Sequence, residues 1–200
     1  MKDPIGQVME KYLSNREIAG AALIVRKRSG VVYKNKWGFS DLFGQKPVAY
    51  NSIFRMMSMT KCITAAAVMK LCEEGRLSLD DALSKYIPSF SGMRVVDDTR
   101  YVYTGKVRPL ALLWKILTFR WERVKTVPAD REITLRDLLS HSSGLQQGVA
   151  GMIAMMKDKR PKTTLAEQAE IYAKCPLDFQ PGEGTGYSPV AAYDMLGRVI

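Results

Sequence analysis

The distribution of apolar residues predicts an α/β protein of the α+β kind, with an antiparallel sheet hairpin followed by a mainly helical region. Three observations carry this expectation. Residues 19–41, AGAALIVRKRSGVVYKNKWGFSD, hold two β-branched runs around Ser29-Gly30, the composition of a hairpin turn. Residues 51–75 open a long apolar helix near Ser58 that stops at Gly75, a residue type favoured just past a helix C-terminus. Later segments alternate helical periodicity with turns rich in glycine, serine and proline.

Taken in order, Asp3 to Asn15 reads as an amphipathic helix, with Ile5, Val8, Met9 and Tyr12 at roughly helical spacing. Within the long helix, Cys62, Ala65, Ala66, Ala67 and Met69 suit a buried central element. Residues 76–90 form a connection with one short helical turn that stops before Pro88. Residues 133–145, ITLRDLLSHSSGL, read as a short helix closed by a Ser-Ser-Gly turn. Lys162 to Lys174 is a further helix, 179–189 a glycine- and proline-rich loop, and a last helical pattern runs from Val190 to Ile200. The expected organisation is one domain over 1–200, with the hairpin at 19–41, a mainly helical part over 52–200 and an insertion at about 91–131. One hairpin is a marginal sheet by itself, so partner strands are expected beyond Ile200.

Composition narrows the function. With 46% hydrophobic residues in 200, the chain can build a core. Lys and Arg number 30 against 20 Asp and Glu, a net charge of +10 that favours anionic partners. No nucleic-acid motif or phosphate loop accompanies that charge, so no nucleic-acid partner is expected. Cys62, Cys72 and Cys175 are scattered and His141 is the one histidine, which argues against a disulfide framework, a zinc cluster and any metal cofactor. The charged start MKDPIGQVMEKYL has no apolar signal core, and no run nears the roughly 18 apolar residues of a spanning helix. A cytoplasmic setting is therefore favoured.

The chemistry concentrates at Ser58-Met59-Thr60-Lys61. Residues three apart share a helix face, so the Lys61 amine can reach the Ser58 hydroxyl. A serine hydroxyl is a weak nucleophile until a neighbouring base takes its proton. The helix N-terminus adds positive potential, and the Ser58 amide can serve as an oxyanion donor.

Around this motif the chain resembles the β-lactamase-related serine hydrolases: class C β-lactamases, D-alanyl-D-alanine peptidases (penicillin-binding proteins) and esterases of the same fold. GAALIVRKRSGVVYKNKWGFSD is similar to the family's opening hairpin, and FRMMSMTKCITAAAVMKLCEEGRLSLDDALSKYIPSF to its nucleophile helix and connection. ITLRDLLSHSSGL and FQPGEGTGYSPVAAYDMLGRVI follow in the family's order. The resemblance implies a β-lactamase/transpeptidase-like fold and an acyl-enzyme on Ser58. Lys61 and Tyr187 manage the proton, and no organic cofactor is needed. In the family's second motif Tyr is followed by Ser or Ala and then usually Asn, but here the triplet is Tyr187-Ser188-Pro189. A proline side chain neither donates nor accepts, so β-lactam amides are disfavoured and small ester substrates preferred over other amides.

The family's third motif, Lys-Thr-Gly or a relative, has no match between Tyr187 and Ile200, so the chain reads as the N-terminal part of such a domain with C-terminal strands missing. These 200 residues alone are then expected to fall short of full activity. His141 matches a family histidine outside the catalytic set and reads as structural, and no G-x-S-x-G elbow supports a Ser-His-Asp triad. Within the insertion, residues 109–125 place Leu110, Leu113, Trp114, Leu117 and Trp121 on one helix face and Arg108, Lys115 and Arg123 on another. That pattern makes peripheral membrane contact a candidate, beside plain packing or a lid. The reading is therefore a serine acyl hydrolase of esterase type. Its alternatives are a β-lactamase or D-alanyl-D-alanine carboxypeptidase, and an inactive scaffold of the same fold.

Overall fold

The computed structural model describes residues 3–97, 124–145 and 164–200. The chain divides into two compact units, Met1–Met56 and Met57–Ile200.

The first unit opens with α1 (Pro4–Ser14), which starts where proline is tolerated at the first helical position. Its N-cap is Asp3, whose carboxylate accepts from the Gly6 amide at 3.0 Å and from the Tyr33 hydroxyl at 3.0 Å. β1 (Gly20–Lys27) and β2 (Gly30–Asp41) form the expected antiparallel hairpin, with an irregularity at Val25/Arg26. A two-residue β3 (Lys46–Pro47) pairs with β2 and completes the order β1-β2-β3. Gly38 has φ 66, and a Cβ there would strike the Ala19 carbonyl and the Leu13 side chain. Leu23, Ile24, Val25, Val31 and Val32 stay exposed. They are neighbours along their strands, so described residues cover neither sheet face completely.

In the second unit Met57–Met59 forms a 3₁₀ turn that leads into α2 (Thr60–Glu73). The helix closes in a Schellman arrangement. Gly75 has φ 68, its amide donates to the Cys72 carbonyl, and Arg76 donates to the Leu71 carbonyl. The expectation of a buried central helix is corrected. Val68 alone of α2 is buried, Leu71 and Cys72 are half-buried, and Cys62, Ile63, Ala66 and Met69 are exposed. The helix is apolar nearly all round, but among the described residues only one side of it meets neighbours.

The connection 76–90 carries two 3₁₀ turns, Leu83–Lys85 and Pro88–Phe90, rather than one ending before Pro88. Proline suits the first position of a turn, so it begins the second. Asp81 fixes this stretch. It accepts from the Ser78 amide, Lys85 and the Tyr86 hydroxyl, and these donors hold its carboxyl down to about 2, the Lys85 bond counting most. β4 (Arg94–Val96) and β5 (Thr126–Pro128) form an antiparallel ribbon that the sequence reading left without structure. The helix expected over 109–125 lies outside the described residues except for Val124 and Lys125, which are non-helical and lead into β5.

α3 (Leu135–Leu139), α4 (Leu165–Ala173) and α5 (Ala191–Val199) match the expected helices, slightly shortened. Thr134 and Thr164 cap α3 and α4 through capping boxes with Asp137 and Glu167. Their apolar faces, with Val68, Leu83, Phe90, Ile133 and Leu177, make the buried core of this unit. Each fully buried leucine there is worth about 1.5–3 kcal/mol, so the core holds firm the elements that carry the site. Among the described residues no helix is long and apolar enough to cross a membrane.

Candidate active site

Ser58 sits in the 3₁₀ turn before α2, just after Met57, a non-glycine residue at φ 48. Such a backbone is uncommon outside glycine and sharpens the bend at the head of the helix. The α2 N-cap, Met59, offers no side-chain acceptor to the first helical amides, so the positive helix end is open beside Ser58. One turn on, Lys61 extends its Nζ to 3.5 Å from Ser58 Oγ, as the i, i+3 spacing predicts.

Tyr187 comes from the glycine-rich loop and closes on Ser58 from the other side, with Oη 2.6 Å from Ser58 Oγ. The hydrogen bond with the Ser58 hydroxyl, reinforced by the Lys61 ammonium, holds the Tyr187 phenol below its ordinary 10. A Ser58 hydroxyl donating to Tyr187 is the polarity needed to draw a proton from the serine. Lys61 Nζ lies 5.2 Å from the Tyr187 ring centroid and 5.5 Å from that of Tyr193. Its shortest bond, 2.7 Å, goes to the Pro189 carbonyl. The proline that removes the expected side-chain amide thus still orients the lysine through its backbone. Sequence reasoning missed this, because a main-chain acceptor leaves no residue signature.

The loop bearing Tyr187 is laced to the turn after α3. Asp178 N–H donates to the Gly144 carbonyl at 2.8 Å, Gly182 N–H to the Ser142 carbonyl at 2.8 Å, and Gly186 N–H to the His141 carbonyl at 3.0 Å. Gly144, at φ 70, lies so close to the Phe179 carbonyl that no Cβ fits. Behind the turn, buried Asp137 accepts a two-pronged bond from Arg131 at 2.6 and 2.8 Å, and bonds from Thr134 N–H, Thr134 Oγ1 and Ser142 Oγ. Thr134 and Asp137 form a T-x-x-D capping pattern in the sequence, a signal that could have found this anchor. Ser188, wholly buried, accepts from the Ala192 amide and steadies the first turn of α5.

Ser58, Lys61 and Tyr187, the three residues singled out by sequence, therefore meet at one point. Cys62, Cys72 and Cys175 are spread over the unit and joined in no disulfide, and among the described residues no three His, Cys, Asp or Glu side chains gather as metal ligands.

The chain is 31% identical over 189 residues to Protein Rv1367c of Mycobacterium tuberculosis, covering 92% of this chain and 41% of the relative. It is 27% identical over 201 residues to Esterase EstB of Burkholderia gladioli, covering 96% and 43%. Among solved structures, EstCE1, a hydrolase with promiscuous acyltransferase activity, superposes with a TM-score of 0.69 at 27% identity, covering 98% of this chain and 45% of that one. The chain thus spans less than half the length of these relatives. The Beta-lactamase family profile matches residues 5–200, and with it the chain belongs to the beta-lactamase family.

Proposed function

We propose that the chain carries the nucleophile half of a serine acyl hydrolase acting on carboxylic esters. The observation behind this reading is the 2.6 Å contact between Ser58 Oγ and the Tyr187 phenol, with Lys61 at hand. Tyr187 takes the Ser58 proton as Oγ bonds to the ester carbonyl carbon. Lys61, held by the Pro189 carbonyl, stabilises the phenolate electrostatically. The tetrahedral adduct collapses by breaking the bond to the alkoxide, which receives the proton from Tyr187. Water then attacks the acyl carbon, its proton passing to Tyr187, and Ser58 recovers a proton as the acid leaves. The α2 head and the Ser58 amide favour the developing oxyanion.

The preference for esters rests on Pro189. Its side chain offers nothing to an amide substrate, and its carbonyl is already taken by Lys61. A site lacking the polar partner that a substrate amide needs discriminates against that substrate. With p-nitrophenyl acetate, wild type is expected to release a nitrophenolate burst stoichiometric with protein, which Ser58→Ala lacks. A chromogenic cephalosporin should react about 100-fold or more slowly. Faster opening of the cephalosporin than of the ester would overturn the ester assignment.

A further inference from the structure

We infer that His141 is a positioning residue, whose neutral imidazole pins the Tyr187 loop against Ser58 and releases it on protonation. The inference rests on the proposed role of Tyr187. That side chain is 53% exposed, so burial does not place it, and its backbone must. His141 grips the residues on both sides. Its carbonyl accepts from the Gly186 N–H at 3.0 Å, and its ring Nδ1 accepts from the Ser188 N–H at 3.2 Å. Its ring also lies against the Tyr187 ring, centroids 4.9 Å apart. One residue thereby meets three consecutive residues of the loop.

His141 is itself well held. Its backbone sits in the left-handed region at φ 58, a conformation for which histidine and asparagine are enriched. The next residue, Ser142, donates its amide to the Asp137 carbonyl and its hydroxyl to the Asp137 carboxylate. Tyr193 of α5 backs the imidazole at 5.5 Å.

The bond to Ser188 makes this grip depend on protonation. Because the Ser188 amide donates, Nδ1 must carry a lone pair, so the neutral ring bears its proton on Nε2. A second proton would set N–H against N–H. Ser188 is wholly buried, so water cannot easily replace the lost acceptor and the loop must shift. Among the groups facing the ring are the Lys61 ammonium from α2, the Tyr187 phenol from the loop and the Tyr193 phenol from α5. Nearby carboxylates are committed elsewhere, Asp137 to Arg131 and Asp194 to the Tyr172 hydroxyl. Burial, and then the positive charge of Lys61, keep the imidazole below its ordinary 6.5. The neutral, gripping form therefore prevails at neutral pH, and the grip loosens below the ordinary 6.5.

Two readouts from about pH 8 to about pH 4.5 test this on wild type, His141→Asn and His141→Ala. The first is the amide NMR shifts of Gly186 and Ser188, which need no activity. The second is the rate at which a fluorophosphonate labels Ser58. Asparagine tolerates the left-handed backbone and keeps an acceptor near the Nδ1 position without titrating. In wild type, both amides should shift with one midpoint below 6.5, and labelling should bend down by an additional ten- to hundredfold at about that midpoint. His141→Asn should label within about threefold of wild type at pH 8 and lose both transitions. His141→Ala should label slowly throughout. An amide transition that persists in His141→Asn, or amides indifferent to His141 in wild type, overturns the inference. If wild type is never labelled while the amides titrate as expected, the nucleophile reading fails and the grip of His141 on the loop stands.

Discussion

Replacing Tyr187 by Phe is expected to slow acylation of Ser58 by about 10²–10⁴-fold, the span of a well-placed general base. The substitution deletes one oxygen and leaves the ring that packs on His141, so loop and fold should persist. The lost contact is the 2.6 Å bond through which, in the proposed mechanism, Ser58 hands over its proton. Lys61 remains, but it sits 3.5 Å from Ser58 Oγ and is committed to the Pro189 carbonyl. It is therefore a poor substitute base. Because the Tyr187 phenol is held below its ordinary 10, the wild-type rate should rise with pH toward a plateau reached before a free phenol would ionise. Tyr187→Phe should lose that rise. Stopped-flow nitrophenolate release across pH checks both expectations. A Tyr187→Phe variant with wild-type rate and pH profile would assign the proton to another group.

The largest stability effect is expected at Asp137. Asp137→Ala removes the acceptor for Arg131, the Thr134 amide and hydroxyl, and the Ser142 hydroxyl in one step. Breaking a buried ion pair costs about 3–5 kcal/mol, but the Arg131 side chain is 44% exposed and can turn to water. With the lost helix cap included, about 2–3 kcal/mol is the expected penalty, measurable by urea denaturation. Burial pushes the Asp137 carboxyl up, but the Arg131 fork and the Thr134 donors outweigh it and leave it below 3.8. A carboxylate with a depressed folded value stabilises fully above its unfolded value. That stabilisation is lost as pH falls below about 3.8 through the folded value. The gap between wild type and Asp137→Ala should therefore close in that acid range and stay constant above it. A pH-independent gap would mean that Asp137 acts by shape alone.

Spacing alone brought Ser58 and Lys61 together, because helix geometry turns a separation of three into proximity. Tyr187 lies 129 residues from Ser58, and no local period links them. Only the collinear resemblance pointed to it. The helices were legible where periodicity meets a boundary signal, as with the terminating Gly75 of α2 and the Ser-Ser-Gly turn after α3. The exposure of Cys62, Ile63 and Met69 was not legible, since an apolar helix does not record what covers it. The β4–β5 ribbon escaped because each strand has only three residues and its partner lies some thirty positions away. The grip on the Tyr187 loop escaped as well, since most of it is built from main-chain amides and carbonyls at 141–144 and 178–188.

The most direct measurement is intact-protein mass after incubation with a fluorophosphonate, run on wild type and Ser58→Ala together. A single adduct is expected on wild type and none on Ser58→Ala. An equal adduct on Ser58→Ala, or an unmodified wild-type chain, would contradict Ser58 as the nucleophile armed by Tyr187 and Lys61.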